Sequence, residues 1–91
     1  MPLLSDAEIE DGLKALDGWE RRGNEIFKVY KNKSFVDSLG FVNKVAILAE
    51  KADHHPDILI QYRNVTLTLS THSKGGLTEK DFNLAREIDA L

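Results

Sequence analysis

Apolar residues near both ends of the chain are spaced as on amphipathic helices. Ile9, Leu13 and Leu16 follow one another at intervals of four and three residues, which places them on one helical face. Ser5 and Glu8 have the spacing of a capping box, so we expect a first helix over about residues 6–16. A second capping box opens a final helix, whose box residues are Thr78 and Asp81 and whose apolar face is Phe82, Ala85, Ile88 and Ala90 or Leu91.

Two pairs of segments alternate between apolar and polar residues, which is the period of β-strands. Residues 19–22 and 25–31 surround Gly23-Asn24, a good tight-turn pair. Residues 57–62 and 65–71 surround Arg63-Asn64, where Asn64 can take a positive φ angle. Hairpins separated by helices predict an α+β fold of order α-β-β-α-β-β-α, with a four-stranded antiparallel sheet and helices packed on one face.

The longest predicted helix covers residues 35–52 and follows Ser34 and Asp37, a capping box with Asp in place of Glu. It carries two apolar stripes. One consists of Phe35, Leu39, Val42, Ala46 and Ala49, and the other of Phe41, Val45, Leu48 and Ala52. A helix with one solvated side needs only one such stripe. We therefore expect a further packing partner for this helix, such as a second copy of the chain.

Composition places the chain among small globular proteins. Its 91 residues suffice for one hydrophobic core, so we expect a single domain over residues 1–91. The net charge is −3 and no block of basic residues occurs, which argues against direct nucleic-acid binding. No apolar run approaches the roughly 20 residues of a membrane span, and the first residues lack the pattern of a secretory signal. The chain has no cysteine, which excludes thiolate chemistry and fits a cytoplasmic location.

Three histidines carry the most distinctive chemistry of the chain, and they lie in two places. His54 and His55 follow Asp53 and are stiffened by Pro56, while His72 follows the last predicted strand. If the alternation of that strand continues, His72 shares its hydroxyl-lined face. Histidine has an unperturbed pKa of about 6.5 and exchanges protons near neutral pH. The cluster therefore points to general acid–base catalysis.

Other roles for the histidines have less support from their spacing. Adjacent side chains of an extended segment point to opposite sides, so His54 and His55 cannot easily bind one metal ion. Ser70 and Ser73 flank His72, but neighbours along a strand do not face each other, which argues against a serine nucleophile. The histidines could also be merely solvated, as polar loop residues often are.

Two aspartates could orient one of the imidazoles, and each also has a plainer interpretation. Asp53 lies at the end of the long helix, where it could simply be solvated. Asp81 is the third helical residue of a capping box, which alone would account for a carboxylate there. The spacing of these residues leaves both interpretations open.

Three motifs resemble those of the pterin-4a-carbinolamine dehydratase family. They are Asp53-His54-His55-Pro56-Asp57, then Tyr62-x-x-Val65-x-Leu67-Thr68-Leu69-Ser70-Thr71-His72, then Gly76-Leu77-Thr78-x-x-Asp81. The resemblance extends over nearly the whole chain. The further matching segments are Gly18-Trp19, Ile26-Phe27-Lys28, Gly40-Phe41, and the stretch from Val45-Ala46 to Ala49-Glu50-Lys51. The resemblance is specific because the paired histidines His54-His55 and the later Thr71-His72 are separated as they are in the family.

The resemblance implies an enzyme that removes water from a 4a-hydroxytetrahydropterin and gives the quinonoid dihydropterin. This substrate arises when an aromatic amino-acid hydroxylase uses its pterin cofactor, so the resemblance also implies a functional link to such a hydroxylase. The family uses no metal and no organic cofactor. The reaction needs an acid for the leaving hydroxyl and a base for a ring-nitrogen proton, and histidines can serve as both near neutral pH.

The resemblance also implies roles for individual residues. His54, His55 and His72 match the catalytic histidines, and we expect His54 and His72 to form the acid–base pair while His55 holds the pterin. The substrate would contact these three histidines together with Asp53, Ser70, Thr71 and Ser73. Supporting positions are Trp19, Glu50, Pro56 and Asp81. The chain departs from the family at Ile58, where a tryptophan is frequent, so aromatic stacking from that position is not expected.

Family members assemble as dimers and tetramers through the long central helix, which agrees with the two apolar stripes of residues 35–52. We therefore expect a homodimer or homotetramer. The main alternative to catalysis is a non-catalytic assembly module or coactivator on the same fold. Animal members of the family also serve as dimerisation cofactors of a homeodomain transcription factor, a role that nothing in this sequence indicates. A second alternative is a pterin enzyme of a neighbouring pathway, such as molybdopterin metabolism.

Overall fold

Helices and strands follow one another in the predicted order in the structure, a computed structural model that describes residues 2–91. The elements are α1 (Asp6–Lys14), β1 (Glu20–Arg22), β2 (Glu25–Lys31), α2 (Phe35–Ala52), β3 (Asp57–Gln61), β4 (Asn64–Leu69) and α3 (Glu79–Asp89). A short 3-10 helix, His72–Lys74, lies between β4 and α3. The prediction of an α+β fold of order α-β-β-α-β-β-α is confirmed.

The four strands form one antiparallel sheet in the order β1-β2-β4-β3. The two hairpins meet in the middle of the sheet, where Ile26 of β2 lies opposite Leu69 of β4. Val65 and Leu67 share the face of Leu69, and all three side chains are fully buried. Helices cover this face with buried side chains, which include Ile9, Val45, Phe82, Leu84 and Ile88. The core thus lies between the sheet and the three helices.

Side-chain caps fix where the outer helices begin. Glu8 donates its backbone N–H to the Ser5 hydroxyl at 3.2 Å, and the Glu8 carboxylate accepts the Ser5 N–H at 2.8 Å. Thr78 and Asp81 form the same reciprocal pair at the start of α3. The capping boxes predicted for these two outer helices are confirmed. Helix α1 ends at Lys14, two residues before the predicted bound, because the next N–H bonds three residues back instead of four.

The turn of the second hairpin lies one residue earlier than predicted. It is formed by Tyr62-Arg63, and Tyr62 rather than Asn64 takes the left-handed conformation, with φ of 56°. Asn64 instead pairs with Gln61 on one side and with Lys31 on the other. The pairing with β2 determines this register, because a residue held in two strand ladders must keep an extended backbone.

Strand β4 also ends before its predicted bound at Thr71. Beyond Leu69 the chain keeps only an isolated bridge, in which the Thr71 N–H donates to the Gly76 carbonyl at 2.8 Å. The Thr71 carbonyl accepts the Gly75 N–H at 3.0 Å, which closes a tight loop around the 3-10 helix. His72 begins that helix, so the expectation that it continues the strand alternation was wrong.

Helix α2 has the predicted bounds and buries only part of its apolar surface. The capping box predicted at its start forms only in part: the Ser34 hydroxyl accepts the Asp37 N–H at 3.1 Å, but within residues 2–91 the Asp37 carboxylate does not accept the Ser34 N–H in return. Val45 and Ala49 are buried in the core. Four other apolar side chains are between 41% and 75% exposed, and we call them the exposed stripe of α2: Phe35, Val36, Leu39 and Ile47. No helix within residues 2–91 combines the length and apolar character needed to cross a membrane.

Candidate functional site

All three histidines meet at one open cavity of about 390 Å³, which we call the histidine cavity. Its volume falls within the roughly 300–1,000 Å³ of small-molecule sites. The seven residues predicted to contact substrate all line it, namely Asp53, His54, His55, Ser70, Thr71, His72 and Ser73. Lys80 also lines the cavity and was not predicted from the sequence.

The hairpin of β3 and β4 brings the two histidine segments together. Asp57 at the start of β3 pairs with Thr68 near the end of β4, so the residues before β3 lie beside those after β4. The chain leaves α2 through Asp53, whose left-handed backbone (φ 50°, ψ 45°) ends the helix. The His54 N–H then donates to the Ala49 carbonyl at 3.0 Å, which fixes the direction in which the chain leaves the helix.

His54 forms a buried pair with Asp81. Its Nε2 lies 2.6 Å from Asp81 Oδ1; the imidazole is only 8% exposed and the aspartate is fully buried. A carboxylate only accepts hydrogen bonds, so we assign the His54 proton to Nε2. This leaves Nδ1 as the ring nitrogen that can take up a proton. Of the two candidate aspartates, Asp81 is therefore the one that orients an imidazole, and Asp53 is the C-cap of α2.

The other oxygen of Asp81 is held by two further donors. Oδ2 accepts the Thr71 hydroxyl at 2.8 Å and the Thr78 backbone N–H at 2.9 Å. The Thr71 hydroxyl also lies 2.8 Å from that of Thr78. Asp81 is thus both the capping residue of α3 and the partner of His54, so both interpretations of its sequence position hold. Because the buried Thr71 hydroxyl is committed to these groups, it does not point freely into the cavity.

His55 has an exposed carboxylate partner from the last turn of α2. Its Nε2 lies 2.5 Å from Glu50 Oε2, and the side chains are 57% and 77% exposed. Exposed ion pairs contribute little to stability, typically about 0–1 kcal/mol. The role of Glu50 is therefore better described as orienting the imidazole than as stabilising the fold.

His72 differs from the other two histidines. It is exposed at the start of the 3-10 helix and makes no side-chain hydrogen bond or ion pair within residues 2–91. Both of its ring nitrogens are therefore available to a bound molecule or to water. Ser70 and Ser73 accompany it along the cavity wall.

The structure does not bring Trp19 to the histidine cavity. Its indole N–H donates to Asp89 Oδ2 at 3.1 Å, and its ring meets Tyr30 edge-on at 6.3 Å between centroids. Asp89 also accepts from Lys28 at 2.9 Å and from the Tyr30 hydroxyl. Trp19 thus belongs to a cluster that ties the end of α3 to β2. Pro56 is half-buried at the entry to β3 and does not line the cavity either.

Lys80 is the residue of the cavity that sequence patterns missed. It lies in the first turn of α3, beside Asp81, and is half-buried. A lysine in the first turn of a helix is usually a solvated surface residue. The one signal for a functional role was that Lys80 is next to Asp81 in the sequence. Its ammonium group makes it the one cationic side chain other than histidine that lines this cavity in the described part of the chain.

The geometry suits proton transfer to and from one bound molecule. The His54 imidazole is paired with a buried carboxylate and that of His55 with an exposed one. The His72 imidazole has no paired carboxylate within the described residues. Proton exchange near neutral pH is the chemistry that such groups provide. Within residues 2–91 no group of three His, Cys, Asp or Glu side chains is placed to hold a metal ion.

Comparison with known proteins identifies close relatives. A family model described as pterin 4 alpha carbinolamine dehydratase matches residues 2–91. A relative from Roseiflexus sp. strain RS-1, provisionally named pterin-4-alpha-carbinolamine dehydratase, is 58% identical over 88 residues, which are 97% of this chain and 95% of the relative. A relative from Sulfolobus acidocaldarius with the same provisional name is 44% identical over 88 residues, 97% of each chain.

Two solved structures have a similar fold. A transcriptional coactivator/pterin dehydratase from Brucella melitensis superposes with a TM-score of 0.93 at 40% identity, covering 98% of this chain and 97% of that one. A pterin dehydratase-like protein, described as a RuBisCO assembly factor of the alpha-carboxysome, superposes with a TM-score of 0.64 at 25% identity. That match covers 79% of this chain and 83% of the other.

Proposed function

Because the chain belongs to the pterin 4 alpha carbinolamine dehydratase family, we propose that it removes water from a 4a-hydroxytetrahydropterin to give the quinonoid dihydropterin. The observation that carries this proposal is the convergence of all three histidines on one cavity, with a buried carboxylate behind His54. The reaction would regenerate a pterin after its use by an aromatic amino-acid hydroxylase. That link and the cytoplasmic location stay predictions.

The reaction needs two proton transfers and no change of oxidation state. The bond between C4a and the hydroxyl oxygen breaks, and the leaving hydroxyl takes one proton to depart as water. N5 of the ring loses one proton, and its electron pair forms the C4a=N5 double bond. The protons gained and lost balance, so an acid and a base suffice. Each such group typically accelerates a reaction by about 10²–10⁴.

We assign the base to His54 and the acid to His72. Nε2 of His54 is held by Asp81, so Nδ1 would take the N5 proton while the carboxylate stabilises the imidazolium that forms. His72 is exposed to solvent, which suits an acid that must regain its proton after each turnover. His55, oriented by Glu50, would hold the pterin ring.

The remaining cavity residues would bind the polar edge of the pterin. Asp53 can accept hydrogen bonds from ring N–H groups, and the Ser70 and Ser73 hydroxyls can donate or accept. We assign Thr71 to positioning Asp81 instead, because its hydroxyl is already committed to that carboxylate. Lys80 adds one positive charge that favours binding of the electron-rich ring carbonyl.

We further propose that α2 joins copies of the chain into a homodimer or homotetramer. The exposed stripe of α2 supports this, since Val36 alone is 75% exposed and the four side chains share one helix. Several exposed apolar side chains on one helix are common at interfaces between protein chains.

A non-catalytic binding module on the same fold is the second candidate. The exposed stripe of α2 would serve it equally well. The similar structures described as a transcriptional coactivator and as a RuBisCO assembly factor show that this fold occurs in proteins with such descriptions. The presence of all three histidines in one cavity favours the dehydratase over this alternative.

Decay of a 4a-hydroxytetrahydropterin, followed by stopped-flow absorbance, distinguishes the two candidates. The dehydratase proposal predicts faster decay with the wild-type protein than in buffer. Glu10→Ala, on the exposed side of α1, should give the same acceleration and controls for handling of the protein. A folded wild-type protein that leaves decay at the buffer rate would contradict the proposal and favour the binding module.

A further inference from the structure

The carboxylate of Asp89, at the end of α3, takes part in none of the proton transfers described above. It accepts hydrogen bonds from three side chains: the Trp19 indole N–H at 3.1 Å, the Lys28 ammonium at 2.9 Å and the Tyr30 hydroxyl. The Asp89 side chain is only 23% exposed and that of Lys28 only 19%. Because hydrogen bonds between charged groups are stronger than those between neutral ones, these contacts link α3 strongly to β2. We call Asp89 and its three donors the α3 anchor.

The needs of the helix itself do not explain a carboxylate at Asp89. The C-terminal end of a helix is the negative end of its dipole, so negative charge is unfavourable there. Asp89 is the last residue of α3, and the C-cap that follows it is Ala90. A carboxylate at this position therefore disfavours α3 as an isolated helix, and its benefit must come from its contacts with Trp19, Lys28 and Tyr30.

Two carboxylates hold α3 to one sheet at both of its ends. Asp81 lies about two turns before Asp89, or roughly 12 Å along the helix axis. Asp81 accepts the hydroxyl of Thr71, which follows β4, whereas Asp89 accepts from Lys28 and Tyr30 of β2. Strands β2 and β4 are hydrogen-bonded neighbours in the sheet. A closed path of directional contacts thus runs from α3 through β2 and β4 back to α3.

We propose that Asp89 is a positioning residue, which acts through α3 to keep the Asp81 carboxylate against Nε2 of His54. This inference rests on the proposed dehydratase function, in which that imidazole is the base. Apolar side chains of α3 fill the core, but apolar burial is not directional, whereas the contacts of Asp89 fix the rotation and axial position of the helix. A tilt of about 5° around the Asp89 end would move Asp81 by roughly 1 Å. A misplacement of about 1 Å can lower a rate by about 10²-fold.

Asp89→Asn weakens the α3 anchor at nearly constant side-chain size. Its amide carries an oxygen at one end and NH₂ at the other, so it cannot accept from Trp19 at one end and from Lys28 at the other. Asp6→Asn is the matched control, because Asp6 also accepts from a cationic side chain at 2.9 Å but is exposed on α1. The proposed mechanism assigns no role to Asp6.

Proton NMR reports the geometry of the His54–Asp81 pair directly. The proton on Nε2 of His54, which lies 2.6 Å from Asp81, should resonate far downfield, and its absence from His54→Ala assigns it. We expect Asp89→Asn to shift this resonance upfield, because the hydrogen bond lengthens, and Asp6→Asn to leave it unchanged. The chemical shift belongs to the folded protein, so a variant that is only less stable keeps the wild-type value. An unchanged resonance in folded Asp89→Asn would overturn the inference.

Kinetics separate this inference from the dehydratase proposal. Asp89→Asn should lower kcat by about three- to tenfold, since the displacement is below about 1 Å. KM should stay nearly unchanged, because Asp89 does not line the histidine cavity. An active wild type whose Asp89→Asn variant keeps the wild-type kcat would overturn the inference alone. An inactive wild type would contradict the dehydratase proposal, while the resonance still decides whether Asp89 positions Asp81.

A second variant covers the case in which Asp89→Asn fails to fold. Tyr30→Phe removes one of the three donors and leaves the ion pair between Lys28 and Asp89 in place. It should shift the His54 resonance in the same direction by a smaller amount. A folded Tyr30→Phe protein with the wild-type resonance would then overturn the inference.

Discussion

Nε2 of His54 lies 2.6 Å from Oδ1 of Asp81, in a pair that is almost completely removed from solvent. The same carboxylate accepts the Thr78 N–H at the first turn of α3. One buried group therefore both caps the start of a helix and orients the His54 imidazole, to which we assign a catalytic role. The geometry of the site is tied in this way to the packing of α3 on the sheet.

Replacing Asp81 by asparagine should damage both functions of the carboxylate. An amide offers an oxygen on one side and an NH₂ group on the other, so it cannot accept hydrogen bonds at both ends. We expect kcat to fall by at least about 10²-fold, since the His54 imidazolium loses its partner. The free energy of unfolding should fall by about 1–3 kcal/mol, because a buried donor is left unsatisfied. Stopped-flow kinetics and urea unfolding measure the two effects.

The other capping box provides the matched control for Asp81. Glu8 occupies the same third helical position in α1, where it accepts the Ser5 N–H, and it is exposed. Glu8→Gln should therefore leave kcat unchanged. If Asp81→Asn were as active as Glu8→Gln, the assignment of Asp81 as the partner of a catalytic base would be wrong.

Thr71 should act through Asp81 rather than through the substrate. Thr71→Val removes a buried hydroxyl that donates to Asp81 Oδ2 at 2.8 Å, whereas Thr71→Ser keeps it. We expect Thr71→Val to lose about 1–3 kcal/mol of stability and part of kcat with little change in KM. Thr71→Ser should retain most of the wild-type stability and most of the wild-type kcat. A rise in KM at constant kcat would instead mean that the hydroxyl binds the pterin.

The two histidines of the proposed acid–base pair should differ in their effect on stability. His72 is exposed, so His72→Ala should change the free energy of unfolding by less than about 0.5 kcal/mol. His54→Ala leaves the buried Asp81 without a partner and should cost about 1–3 kcal/mol. Both should lower kcat by about 10²–10⁴. A folded His72→Ala protein with wild-type turnover would show that His72 is not catalytic.

Tyr30 should make stability depend on pH in the alkaline range. Burial, and then the hydrogen bond to Asp89, raise the pKa of Tyr30 above its usual range. The unfolded chain loses this proton near pH 10 while the folded protein keeps it, so stability is full below about pH 10 and falls as pH rises further. The slope for one proton is about 1.4 kcal/mol per pH unit.

Tyrosine-to-phenylalanine variants isolate this contribution. Urea unfolding between about pH 9 and 11 should show a shallower loss of stability for Tyr30→Phe than for the wild type. Tyr62→Phe is the control, because Tyr62 is 65% exposed and should keep the wild-type slope. Equal slopes in all three proteins would contradict the raised pKa.

The exposed stripe of α2 should determine the oligomeric state. Analytical ultracentrifugation of the wild type should give a dimer or tetramer. Leu39→Asp combined with Ile47→Asp should give a monomer, because two charges would have to be buried at the interface. Leu3→Asp changes an exposed leucine outside α2 and should not alter the mass. A monomeric wild-type protein would contradict the proposal that α2 joins copies of the chain.

Much of the fold could be predicted because local signals agreed with tertiary packing. The outer helices could be recognised from neighbouring residues alone. Their signals were the apolar period of Ile9, Leu13 and Leu16 and the capping residues Ser5 and Thr78. The turn of the second hairpin was misplaced because pairing between strands sets its position. Asn64 was assigned to a turn on its propensity, yet the ladder to β2 holds it in the sheet.

The candidate site was less predictable because it depends on which segments meet. The histidines could be selected from their chemistry, but the choice between Asp53 and Asp81 required the position of α3. No pattern in the sequence marked Lys80 as a site residue, and it belongs to the candidate site only because it lines the cavity. Trp19 was expected near the substrate from resemblance alone, whereas its hydrogen bond to Asp89 places it in a separate cluster.

The central claim is that His54 and His72 catalyse the dehydration, and a single-turnover stopped-flow measurement tests it most directly. The decay of a 4a-hydroxytetrahydropterin is followed with excess wild-type protein and with excess His54→Ala/His72→Ala protein, whose folding is checked by circular dichroism. We predict that the wild type accelerates decay and that the folded double variant returns it to the buffer rate. A folded double variant that accelerates decay as well as the wild type would contradict the claim.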